Sequence, residues 1–185
     1  MHTDLIKLLE KTSALRNDRE AAADFVLQNP KYYPSLLHCA MSNDPTISKK
    51  ACWVLEIVIL SEPQLLDSHR RLFFNLIKHI KDGSARRPLA KIIAHWSEET
   101  ISNETPGFPT LNREEIKKLT AITFNWMLNE LPVAVKVFSM EALFHLGKKE
   151  AWVHEELLAY IQKNYENAQP AFKARARHLM QKLKQ

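Results

Sequence analysis

Apolar residues recur along this chain at helical spacing, and one stretch shows that spacing most completely. From Leu131 to Gly147 the chain reads Leu-Pro-Val-Ala-Val-Lys-Val-Phe-Ser-Met-Glu-Ala-Leu-Phe-His-Leu-Gly. Ser139, Ala142, Leu143 and Leu146 follow one another at intervals of three, one and three, which places them on one stripe of an α-helix. Pro132 suits the first turn, where the N–H it lacks would have no intrahelical partner, and Gly147 suits the helix end. The stripe is expected to face a core.

With Lys136 as origin, the stripe lies at plus three, six, seven and ten, and the same offsets recur three more times. From Ser48 they reach Ala51, Val54, Leu55 and Val58; from Arg86, Leu89, Ile92, Ile93 and Trp96; from Lys173, Ala176, Leu179, Met180 and Leu183. Only Ser139 among all of these is polar, in a chain that is 45% hydrophobic, so coincidence is a poor account. The origins lie 38, 50 and 37 residues apart. Helix pairs repeating at such a period are the signature of an α-solenoid.

The four stretches resemble the second helices of HEAT repeats: a proline or turn precedes the helix, a basic residue usually sits in its first turn, and small then large apolar positions follow. This resemblance to HEAT and armadillo-like proteins spans most of the chain. It implies an all-α fold, a right-handed α-α superhelix (a HEAT-like solenoid) of about five helical pairs, formed by residues 1–185 as one domain. Residues 3–14 and 18–28, with Asn17 or Asp18 as cap between them, read as an atypical terminal pair, as expected for a unit with a single neighbour. Tyr32 to Met41 makes the next helix, and Asn43-Asp44-Pro45 caps the one that runs to about Leu60. Leu65–Lys81 and Ser84–Ser97 pair across an Asp82-Gly83 turn, with Pro88 near the start of its helix. Residues 98–111, with two prolines and a glycine, read as an inserted loop that explains the longest spacing. Asn112 with Glu115 forms a capping box, and residues 150–165 and 169–184 complete the array.

Composition narrows the function. Three glycines in 185 residues, and no sustained alternation, leave no room for a sheet. The net charge of +5, from 26 basic and 21 acidic residues, permits an acidic partner such as nucleic acid without requiring one. Cys39 and Cys52 lie in apolar helical contexts without metal-like spacing and read as small core residues of a reduced, cytoplasmic protein. The N-terminus lacks the order of a signal peptide. The most apolar run, Cys52 to Leu60, is interrupted by Glu56 and far short of the ~20 residues that span a membrane.

The face opposite the core stripe lies near plus one, four, five and eight; the HEAT resemblance implies that second helices line a concave surface. The candidates there are Lys49, Trp53, Glu56, Arg87, Lys91, His95, Lys136, Glu141, Arg177 and His178. Regularly spaced Lys and Arg with an aromatic would make a track for phosphates. The structural alternative is that these cations pair with carboxylates or carbonyls of the neighbouring repeat. Remote similarity to HEAT-like alkylpurine DNA glycosylases implies a further possibility, since those proteins use tryptophans with an aspartate in a basic concavity. Trp53 with Glu56, or Trp96 with Glu98, come nearest, and neither supplies the aspartate. The eight histidines have no paired metal spacing, and no glycine-rich phosphate loop or nucleophile elbow occurs, so no cofactor or metal is expected. The expectation is a non-enzymatic scaffold for a protein or peptide partner, with nucleic-acid binding as the alternative.

Overall fold

A computed structural model of the chain describes residues 3–102 and 107–183. Among the described residues there are ten α-helices, a single 3-10 turn and no strand. The helices are α1 (Thr3–Lys11), α2 (Arg16–Gln28), α3 (Tyr33–Ala40, after the 3-10 turn Pro30–Tyr32), α4 (Pro45–Ser61) and α5 (Leu65–His79). They continue with α6 (Gly83–Ser102), α7 (Arg113–Leu128), α8 (Val133–Gly147), α9 (Ala151–Asn164) and α10 (Pro170–Leu183). The chain divides into two compact units, one comprising Met1–Ile92 with Gly107–Pro109, the other Ile93–Pro106 with Thr110–Gln185.

In the first unit α4 packs against α1, α2 and α3, and α3 also meets α5. In the second, α8 packs against α7, α9 and α10. The repeated apolar stripe accounts for this arrangement. Every stripe residue of α4, α6 and α8 is fully buried, Ser139 included; in α10 Ala176 and Leu179 are buried while Met180 and Leu183 are only partly covered. Leu143 lies in a continuous core with Met127, Met140, Val153, Leu157, Ile161, Phe172 and Leu179.

The origin of the template has a structural role of its own. Ser48 Oγ donates to the carbonyl of Ala40 at 2.7 Å. Arg86 Nε and Nη2 donate to the carbonyl of Ile80 at 3.0 and 2.8 Å, and Lys173 Nζ to that of Glu166 at 2.8 Å. In each case a side chain at the start of the second helix satisfies a carbonyl at or just beyond the end of the first, where intrahelical donors run out. Each bond is a latch linking two consecutive helices, α3 to α4, α5 to α6 and α9 to α10.

Local capping follows the sequence in places and departs from it in others. Asp44 Oδ1 accepts from the N–H groups of Thr46 and Ile47 at 2.8 and 3.3 Å, and the Asn112–Glu115 capping box closes in both directions at 2.9 Å. α2, however, begins at Arg16 after an extended Leu15, so Asn17 and Asp18 lie in its first turn instead of capping it. Asp82 Oδ1 accepts from Ala85 N–H at 2.7 Å and starts α6 at Gly83; Pro88 therefore falls inside the helix, where the carbonyl of Ser84 loses its usual donor. Gly147 ends α8, but Lys148 after it is right-handed, so the glycine is not required for a left-handed cap. It admits a neighbour: a Cβ on Gly147 would collide with the His154 ring, which is held by a 2.7 Å hydrogen bond to the Phe144 carbonyl.

The expected 98–111 loop is shorter than its composition suggested. α6 continues to Ser102 because no helix breaker occurs before Pro106; Asn103 to Pro106 lie outside the described residues. Beyond them Phe108, Pro109 and Leu111 are buried, and Gln64 Nε2 donates to the Gly107 carbonyl at 2.7 Å. The latter part of the connection is thus packed chain.

Candidate functional site

In the first unit the residues opposite the stripe of α4 and α6 engage one another. Lys91 Nζ of α6 reaches Glu56 Oε1 of α4 at 2.8 Å. Glu56 is only 7% exposed, and its second oxygen, Oε2, is buried without a hydrogen-bond partner. A lone carboxylate in that position would be strongly disfavoured, so Lys91 is committed to it. Lys49 Nζ stands 5.5 Å from the centre of the Trp53 ring, a cation–π distance. Arg87 is exposed. The basic residues proposed as a track are thus divided between a buried pair, an aromatic face and solvent.

In the second unit a denser polar cluster forms. His95 and Glu98 of α6, Phe138 and Glu141 of α8 and Arg175 of α10 line a cleft of about 260 Å³. Arg175 forms an ion pair with Glu141. Behind the cleft His145 is 5% exposed, its Nε2 lying 3.7 Å from Glu141 Oε1 and 3.9 Å from Glu98 Oε1. Neither ring nitrogen has a hydrogen-bond partner among the described residues. Burial, the largest single influence, works to raise the Glu141 carboxyl, but His145, Arg175 and Lys182 outweigh it and the net shift is downward.

That shift carries a pH dependence with a definite sign. The folded carboxyl titrates below its ordinary value of about 4.5, so its contribution to stability is fully present above that value and is lost as pH falls through the lower folded pKa. The urea midpoint of the wild type should therefore fall between pH 5 and pH 3 by more than that of Glu141→Gln. Equal slopes would mean that Glu141 makes no such interaction.

The structure brings His95 and Glu141 of the sequence candidates together, and adds three residues to them. Arg175, two positions before the proposed Arg177, makes the ion pair; Arg177 is exposed. Glu98 and His145 are the others. His145 follows Glu141 by one helical turn, an i,i+4 acid–histidine signal that was available, but its position beside the core stripe gave it the look of a packing residue. His178 borders a separate open cleft with Val137, Ala171 and Arg175. Lys136 faces another side of α8, against α9 and α10. Trp96 is completely buried, as packing requires.

Cys39 and Cys52 are free and buried, and burial pushes both thiols up, away from reactive thiolate character. Among the described residues no group of three or more His, Cys, Asp or Glu is arranged to hold a metal ion, and no helix is long and apolar enough to cross a membrane. No family model matches the chain, and no curated protein or solved structure is significantly similar to it.

Proposed function

We propose that this chain is a HEAT-like helical-repeat protein acting as a non-enzymatic scaffold, and that it binds a protein or peptide on the face its second helices turn away from the core. The repeat reading is supported by the buried stripes of α4, α6 and α8 and by the carbonyl latch at three of the four template origins. The observation that carries the function is the pairing of cations between second helices: Lys91 with Glu56, and Arg175 with Glu141. A phosphate track needs its lysines and arginines free to release counterions onto the ligand. Paired with carboxylates, they instead present alternating charge and hydrogen-bonding groups, which suits the mixed surface of a polypeptide. Within the second unit, the His95–Glu98–Glu141–Arg175 cleft is the binding element.

The test uses the immobilised full-length protein in a native lysate, with retained proteins quantified by mass spectrometry. A partner held by the wild type should be lost with Glu98→Lys, whose site is half-exposed and so leaves the core intact. Retention of nothing, or equal retention by a folded Glu98→Lys protein, would reject this face as the binding surface. Binding to duplex DNA with a steep inverse dependence on salt would replace the reading by nucleic-acid recognition through Arg87 and Arg177.

A further inference from the structure

The carbonyl latch is broken at one of its four positions. Ser48, Arg86 and Lys173 each spend their side chain on a carbonyl at the end of the preceding helix. Lys136, the equivalent residue of α8, makes no such bond among the described residues. Near the end of α7 the side-chain donors are other residues. Tyr160 Oη of α9 donates to the Met127 carbonyl at 2.8 Å, and Asn129 Nδ2 donates to the Asn125 carbonyl at 2.7 Å. Lys136 thus closes no helix end among the described residues, unlike Ser48, Arg86 and Lys173, and its ammonium stays uncommitted.

This ammonium faces a cleft. Lys136, Lys163, Asn167 and Gln169 line a cavity of about 280 Å³, to which Leu131, Val133 and Phe172 add apolar side chains. Lys136 and Lys163 form no ion pair among the described residues, so the cleft offers two uncommitted positive charges beside amide donors and an apolar wall. Two ammonium groups and amide N–H donors match an anion, and the adjoining apolar wall matches a side chain carried next to it.

We propose that this cleft captures a peptide carboxylate presented beside an apolar side chain, with Lys136 and Lys163 holding the charge and Leu131, Val133 and Phe172 receiving the apolar group. The proposal deepens the scaffold reading and rests on it, since it names the chemistry of one part of a polypeptide partner. Capture of a carboxylate by convergent donors is an established mode of peptide recognition. The cleft shares α8 and α10 with the His95–Glu98–Glu141–Arg175 cleft but no lining residue, and it takes α9 where the other takes α6.

The experiment is a titration of the ¹⁵N-labelled full chain followed by NMR, with four probes. N-acetyl-leucine carries a terminal carboxylate beside an apolar side chain, N-acetyl-aspartyl-leucinamide carries a side-chain carboxylate in the same setting, N-acetyl-leucinamide carries no charge, and inorganic phosphate carries charge alone. Either carboxylate compound should shift the amides of Lys136, Lys163, Asn167 and Gln169, and whichever binds more tightly identifies a chain terminus or an acidic side chain as the source. Lys136→Met should weaken that binding about tenfold, the loss of one charge-assisted contact, and Lys163→Met should weaken it as well. The proposal is overturned if neither carboxylate shifts these amides, if the uncharged amide binds equally, or if phosphate binds more tightly than both. It is also overturned if binding survives both lysine substitutions. Because none of these outcomes depends on a lysate partner or on Glu98, failure here is distinct from failure of the scaffold reading.

Discussion

Leu143→Asp is expected to abolish the cooperative unfolding transition of the second unit. Leu143 is completely buried at the centre of the α8 stripe, within the core that joins α7, α8, α9 and α10. Truncating a leucine at such a site removes about 2–5 kcal/mol through lost transfer energy and the cavity left behind. An aspartate adds the cost of an unpaired carboxylate in apolar surroundings, several kcal/mol even after relaxation. Set against a total stability of roughly 5–15 kcal/mol for a domain, the sum leaves little or no folded population. The expected measurement is a circular-dichroism melt in which the helical signal of α7–α10 is missing from the start and no transition of that unit remains, while Leu143→Ala still melts cooperatively at a reduced temperature. A cooperative melt of Leu143→Asp near the wild-type midpoint would show that the stripe of α8 is not the core-facing side.

The second large effect concerns the buried pair between α4 and α6. Lys91→Met leaves Glu56, 7% exposed and with one oxygen already unbonded, without its counter-charge. Removing one partner of a fully buried pair costs ~3–5 kcal/mol; the Lys91 side chain is 30% exposed, so water moderates the loss and ~2 kcal/mol is expected. Replacing both residues, as Glu56→Leu with Lys91→Met, removes the stranded charge as well as the pair and should return stability to within ~1 kcal/mol of the wild type. Urea unfolding of the two single variants and the double variant isolates the coupling. An unchanged Lys91→Met protein would mean that Lys91 is free in solution, and would return it to the set of residues available for a phosphate backbone. The stability experiment thus bears directly on function, because the same ammonium cannot be held by Glu56 and spent on a ligand.

The latch shows how far local pattern reaches. Basic residues at the start of the second helices were legible as members of a series, yet two uses were open to them, contact with a ligand or closure of a neighbouring helix end. Nothing in the spacing separates these uses. Arg86 and Lys173 reach the carbonyls of Ile80 and Glu166, whereas Lys136 reaches none among the described residues, and near the end of α7 the side-chain donors are Asn129 and, from another helix, Tyr160. The polar cluster gives the same lesson. Glu141 and His145 are neighbours on one helix and could be found together by eye, but Arg175 and Glu98 come from α10 and α6, and their approach to that pair depends on how three helices pack. The buried side of the 107–111 connection was likewise hidden, since Phe108 and Pro109 carry the composition of an exposed loop.

The sequence by itself determined the helical class, the core register of α4, α6 and α8 and the caps at Asp44 and Asn112. These are short-range properties, set by a 3.6-residue period and by side chains that reach backbone groups two or three residues away. Tertiary structure decided which groups are spent and which remain available: Lys91 held by Glu56, Arg175 chosen over Arg177 for Glu141, and the Met127 carbonyl taken by Tyr160 while Lys136 stays uncommitted. Those outcomes turn on distances between residues 33 to 35 positions apart along the chain, where contact is fixed by packing geometry and no local pattern records it.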